Sequence, residues 1–124
     1  MNWLAVGLGA AIGAWLRWGL GLWLNAGHPA LPFGTLAANL GGGFLAGFAF
    51  AFFSASSALP PEWRLFVITG LLGGLTTFST FSTEAMTLLE RGDFPWALAH
   101  AAFHLAGSIA LCIAGAAACR HLFH

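Results

Sequence analysis

The chain has 124 residues, 59% of them hydrophobic and 6% charged, and its formal net charge is zero. A soluble domain carries roughly a quarter charged residues, so the composition excludes a water-solvated surface; without a basic excess it also excludes a nucleic-acid partner. The length sets one domain, residues 1–124, read as an all-α protein of the lipid bilayer. A bilayer core takes about 20 apolar residues of helix. The first such stretch is about 3–24. It lacks a basic n-region, and its apolar run from Trp3 to Trp23 exceeds a signal-peptide h-region, so it is expected to stay as a membrane helix.

A break follows at NAGHPALP, with Pro29 and Pro32, and the second helix is predicted at about 33–53. Asn39 sits in its middle, four residues after Thr35, so the two share a face. A buried amide needs partners; Asn39 either donates to an anion or bridges helices. SASSALPPE forms the next loop, a third helix is predicted at about 63–89, and ERGDFP ends it. The fourth helix is about 94–119, and no fifth segment follows. Trp3, Trp23, Trp63 and Trp96 fall near these ends, where amphipathic rings favour the membrane interface. Trp15 and Trp18 do not, and are read as packing residues. Glycines spaced by four (Gly9 and Gly13, Gly43 and Gly47, Gly70 and Gly74) allow close approach of helix backbones in lipid. Cys112 and Cys119 lie seven residues apart on one helix, a rise of about 10 Å that a disulfide cannot bridge.

Four helices make a thin bundle, which favours oligomers. The chain has no lysine; Arg64 and Arg120 fall near one membrane face, Arg17 and Arg91 nearer the other. The positive-inside rule then sets no preference. Such a chain is expected to insert both ways, and two opposed copies can pair about a two-fold axis in the membrane plane.

The third helix carries most of the information. Gly73-Gly74 weakens it just before its midpoint, and TTFSTFST (76–83) follows. One or two Ser or Thr residues in a membrane helix commonly bond back to the preceding turn. Six hydroxyls in eight residues beside a glycine pair predict instead a break within the membrane. Unwound backbone at that depth is tolerated where protein or a cavity covers it, and it exposes groups that bind ions. Phe78 and Phe81 punctuate the run; a phenyl ring has a positive edge that can face an anion. On the fourth helix His100, His104, Ser108 and Cys112 form one polar stripe. The two histidines could bind zinc, but no carboxylate or thiolate stands nearby in sequence to complete a site, so none is expected there. Protonated, they would attract an anion, and conduction would rise as pH falls. Arg17 and Glu84 lie deeper than loop residues.

GTLAANLGGGFLAG (34–47) and GLLGGLTTFSTFSTE (70–84) resemble the signature segments of the Fluc family, also called CrcB, of fluoride channels, and GAAIGAWLRW (9–18) resembles its first-helix segment. The resemblance covers essentially the whole chain. It implies a bacterial inner-membrane channel that lets fluoride leave the cell passively, built as an antiparallel, dual-topology homodimer with two pores. By that resemblance Phe78, Phe81 and Asn39 contact the anion. Thr35, Ser79, Thr80, His100, His104 and Ser108 line the pore, although the family often has Tyr, Asn or Ser where this chain has its histidines. Arg17 and Glu84 correspond to vestibule residues. A structural sodium ion is implied at the dimer centre, on the backbone carbonyls of Gly73 and Thr76. The rival reading is a small dual-topology proton-coupled multidrug exporter. That chemistry needs a carboxylate in the first helix, which here holds Arg17 and no acid. No nucleotide-binding loop is present, so neither an enzyme nor an energy-coupled pump is expected.

Overall fold

Proline and glycine set the limits of the helices. In the computed structural model, which describes residues 1–25 and 32–123, α1 spans Asn2–Leu24 and α2 spans Phe33–Ala55. The expected turn at Pro29 lies outside the described residues. Pro32 sits at the N-cap of α2, where a missing N–H costs nothing. Asn25 Oδ1 accepts from the N–H groups of Gly34 and Thr35 at 2.6 and 3.2 Å, capping α2 from the end of α1.

The next stretch is composite. It runs through α3 (Pro61–Arg64), a π-helical segment (Leu65–Leu72), α4 (Gly73–Leu75) and α5 (Phe78–Glu90). Thr76 and Thr77, between α4 and α5, have extended backbone, with φ/ψ of −86/155° and −151/121°. A tight turn reverses the chain. The Asp93 N–H reaches the Leu88 carbonyl at 2.9 Å, and Gly92 takes φ +78°, a conformation glycine adopts without strain. The last stretch joins α6 (Phe94–Ala102), a second π-helical segment (Phe103–Gly107) and α7 (Ser108–Phe123). It runs to Phe123, past the expected end near 119.

Among the described residues four helical stretches are long and apolar enough to cross a membrane: Asn2–Leu24, Phe33–Ala55, Pro61–Glu90 and Phe94–Phe123. No more than 28% of the most apolar window of any of them is buried inside the chain. Trp3, Trp15, Leu22, Leu98 and Ile113 all point outward. Side chains this apolar and this uncovered need lipid around them, so the protein is a multi-pass membrane protein.

The helices meet along glycine. A Cβ added to Gly9 would lie 2.8 Å from the Leu71 nitrogen, and one at Gly13 2.7 Å from the Leu75 nitrogen. Conversely, a Cβ on Gly70 would lie 3.0 Å from the Cα of Gly9. Thus α1 touches the third stretch backbone to backbone. On the other side Gly47 faces the Cys112 carbonyl and Gly115 faces the Phe44 carbonyl, seating α2 against α7. The small core between the two seams is Ala38, Ala49, Leu72 and Leu75.

Candidate functional site

The extended pair Thr76-Thr77 is held from outside its own segment. Asn39 Oδ1 accepts from the Thr77 N–H at 2.7 Å, and Asn39 Nδ2 donates to the Thr77 carbonyl at 3.0 Å. The N–H can only donate and the carbonyl only accept, so these two bonds fix which way the amide faces. The second Nδ2 hydrogen meets His104 Nδ1 at 3.0 Å. That nitrogen is therefore an acceptor, and neutral His104 carries its proton on Nε2.

Diverting two amides frees carbonyls. In an unbroken helix the Thr77 N–H would serve the Gly73 carbonyl, and the Thr80 N–H the Thr76 carbonyl. Here Thr77 turns to Asn39, and the Thr80 N–H donates to the Thr77 hydroxyl at 3.1 Å, an N-cap for α5. Arg17 Nε donates to the Gly74 carbonyl at 3.1 Å. A guanidinium at a helix C-terminus both satisfies a carbonyl and complements the dipole.

The six hydroxyls of 76–83 divide into two groups. Thr76 Oγ1 bonds back to the Leu72 carbonyl at 2.9 Å, Ser82 Oγ to Phe78 at 2.8 Å and Thr83 Oγ1 to Thr80 at 2.9 Å. These three follow the ordinary habit of hydroxyls in apolar helices. Ser79 and Thr80 instead gather about the Thr77 hydroxyl, at 3.3 and 3.2 Å.

Phe81 links α5 to the fourth stretch. Its ring stacks on His100 with centroids 5.1 Å apart, lies 4.7 Å from His104, and meets the edge of Phe78 at 5.5 Å. Phe78 itself is 78% exposed and faces out of the single chain. Behind these rings Thr35 Oγ1 donates to Glu84 Oε2 at 2.7 Å. The other carboxylate oxygen lies 3.4 Å from His100 Nε2, close but not aligned for a hydrogen bond. Thr35, His100 and His104 are all buried.

The tight turn at Gly92 brings Glu84 to the histidines, a meeting that sequence distance concealed. The expectation that no carboxylate completes the pair is thus corrected: Glu84, His100 and His104 each offer a ligand atom within 4.8 Å of the others. The one advance signal was that Glu84 and His100 stand at similar distances on either side of ERGDFP.

Two grooves lie near these residues. One, of ≈ 400 Å³, is lined by Asn39, Gly43, Gly73, Thr76, Phe78 and Ser108. The other, of ≈ 230 Å³, is lined by Arg17, Trp18, Asn25, Thr35 and Thr80 among others. The chain therefore gathers Asn39, Thr35, Thr80, Phe81, Glu84, His100 and His104 around one seam between α2, α5 and the fourth stretch. Arg17 joins from α1.

The sequence pattern of the CrcB-like protein family, Camphor Resistance (CrcB), matches residues 4–116. The chain belongs to the CrcB family. Its relatives include a protein of Cupriavidus pinatubonensis named fluoride-specific ion channel FluC, 62% identical over 109 residues that cover 88% of this chain and 86% of that one. A protein of the same name from Pseudomonas putida is 60% identical over 114 residues, 92% of this chain and 90% of its own length. Another, from Ralstonia pickettii, is 59% identical over 115 residues, 93% and 91% of the two chains. CrcB membership accounts for the signature segments at 34–47 and 70–84, which here supply two sides of the seam, the fourth stretch supplying the third.

Proposed function

We propose that this CrcB protein is a fluoride-selective channel of the bacterial inner membrane, which lets cytoplasmic fluoride leave passively and so protects the cell. The observation that carries the reading is the 60% identity to a fluoride-specific ion channel across 92% of this chain and 90% of that one. The geometry supports it with weak donors and ring edges in place of a fixed lysine. Fluoride holds water strongly, so a path must replace that water with donors, bound well enough for entry and weakly enough for exit. Thr35, Ser79, Thr80 and Ser108 supply hydroxyls. Asn39 reaches an arriving anion by giving up its contact with His104, and Phe78 and Phe81 offer positive ring edges. His100, His104 and Glu84 stand together in the same seam and Arg17 lies on the Gly74 carbonyl; the resemblance alone assigns Arg17 and Glu84 to a vestibule.

In this reading two chains insert in opposite directions and pair as a homodimer, enclosing two pores. The exposed Phe78 then meets the partner copy, and the third helix is broken at membrane depth by Thr76-Thr77. In the same reading a structural sodium ion sits at the break, on the Gly73 and Thr76 carbonyls, whose helical N–H donors turn to Asn39 and to the Thr77 hydroxyl. Those oxygens would hold the ion, and its charge would tie the two copies at the centre.

Reconstituted liposomes loaded with fluoride and read by a fluoride-selective electrode test the function, with chloride as control. Fluoride efflux without chloride efflux is expected. Equal efflux of both, or none, defeats the reading. Proton-driven export of organic cations would instead mark the exporter class, which the absence of an acid from α1 disfavours.

A further inference from the structure

The cluster of Glu84, His100 and His104 has more unmet bonding capacity than an anion path requires. His100 and His104 are 1% and 5% exposed, and among the described residues their Nε2 atoms, like Glu84 Oε1, are buried without hydrogen-bond partners. A buried polar atom without a partner needs an explanation. Three on different side chains, in residues that each bring a ligand atom within 4.8 Å of the others', share one.

We propose that Glu84, His100 and His104 form a binding site for a divalent transition metal, zinc above all. Two imidazoles and a carboxylate are an established zinc donor set, which leaves a fourth position open. At zinc bond lengths of about 2.0–2.2 Å, tetrahedral ligands stand roughly 3.4 Å apart, and Glu84 Oε1 and His100 Nε2 already lie at 3.4 Å. His104 has to close the remaining gap. One outer partner that orients a metal ligand is present: Thr35 holds the second oxygen of Glu84. Calcium and magnesium prefer all-oxygen cages and fit poorly.

The site has a cost, which gives it a signature. Without metal the Asn39 contact places the His104 proton on Nε2. A metal on Nε2 moves that proton to Nδ1 and breaks the Asn39–His104 hydrogen bond, one bond lost against three formed. The bound cation then sits beside Phe81 and disturbs Asn39. On the fluoride-channel reading, zinc therefore blocks conduction; the binding itself does not depend on that reading.

The test uses the full-length, tag-free protein in detergent, titrated with zinc chloride against a chromophoric chelator. One zinc per chain is expected, at least about tenfold weaker in Glu84→Gln and in His104→Leu, since loss even of an outer partner costs 10–100-fold. The His121→Ala/His124→Ala variant should bind as the unaltered chain does. Absent binding, or binding unaltered in Glu84→Gln and His104→Leu, overturns the proposal. X-ray absorption at the zinc edge needs no variant. Two imidazoles with oxygen support the site, whereas a sulfur shell near ~2.3 Å moves the metal to a cysteine and overturns it. Nitrogen-15 spectra of labelled imidazoles should show His104 exchanging Nε2–H for Nδ1–H as zinc is added. In liposomes, zinc should reduce fluoride efflux and a chelator restore it, each variant compared with its own zinc-free rate. Zinc binding without that reduction overturns the block and leaves the site, while an absence of fluoride efflux from all samples counts against the channel reading alone.

Discussion

Replacing Asn39 by leucine keeps its heavy-atom branching and removes three hydrogen bonds: two to the Thr77 peptide and one to His104. Side-chain hydrogen bonds inside membrane proteins average about 0.6 kcal/mol and reach about 1.7. Three of them give roughly 2–5 kcal/mol, the upper part applying because Thr77 leaves both a donor and an acceptor unmet. Thr77→Ala is the matched control. It removes the hydroxyl that caps α5, a loss of about 1 kcal/mol, and leaves the peptide clamp intact. Unfolding in dodecyl maltoside by added sodium dodecyl sulfate, followed by the fluorescence of the six tryptophans, measures both. Asn39→Leu should lose at least about 2 kcal/mol and Thr77→Ala about half that or less. Equal losses in the two variants, or a loss under about 0.5 kcal/mol in Asn39→Leu, would mean that the amide does not hold the extended pair.

Gly47→Ala places a methyl group on the Cys112 backbone, whereas Gly41 has open space around it, so Gly47→Ala should lower stability by about 1–3 kcal/mol and Gly41→Ala by far less. The same detergent titration checks it, and parity between the two would contradict the described seam. Phe81→Ile removes the ring against His100 and His104; fluoride efflux should fall at least tenfold while the variant elutes at the same size as the unaltered protein, and undiminished efflux would remove Phe81 from the path. If sodium sits on the Gly73 and Thr76 carbonyls, exchanging it for a bulky organic cation should lower the thermal midpoint of the purified protein, and an unmoved midpoint would argue that these oxygens hold no ion. A reporter fused to the C-terminus should be accessible from both sides of the membrane in one population of cells; access from one side alone would rule out opposed insertion.

Much of the fold was legible because lipid leaves few options. A stretch of about 20 apolar residues must be helical there, and the four stretches appear where proline and glycine allow them to start and stop. The glycine spacings were legible as seams, although not which helix each would meet. Gly9 and Gly13 meet the Gly70–Gly74 region, while Gly47 meets α7. The hydroxyl run was legible only in part. Thr76, Ser82 and Thr83 turn to their own backbone, because a carbonyl one turn back is the nearest acceptor in an apolar helix. The Glu84–His100 meeting was hidden for a different reason. It depends on a helical hairpin whose turn fixes the pairing of two faces, and the faces of an almost wholly apolar helix are hard to assign from periodicity.

The wide turns at Leu65–Leu72 and Phe103–Gly107 bear on how this chain can change length. In an α-helix, deleting one residue swings everything beyond it by about 100°, which would carry Thr77 away from Asn39 or the histidines away from Phe81. A π-helical turn already holds one residue more than an α-turn. Losing that residue would convert the segment to ordinary pitch and leave the following side chains close to their original bearing. These two segments are therefore where the third and fourth crossings can absorb a deletion, a slack that the uninterrupted α1 and α2 do not have.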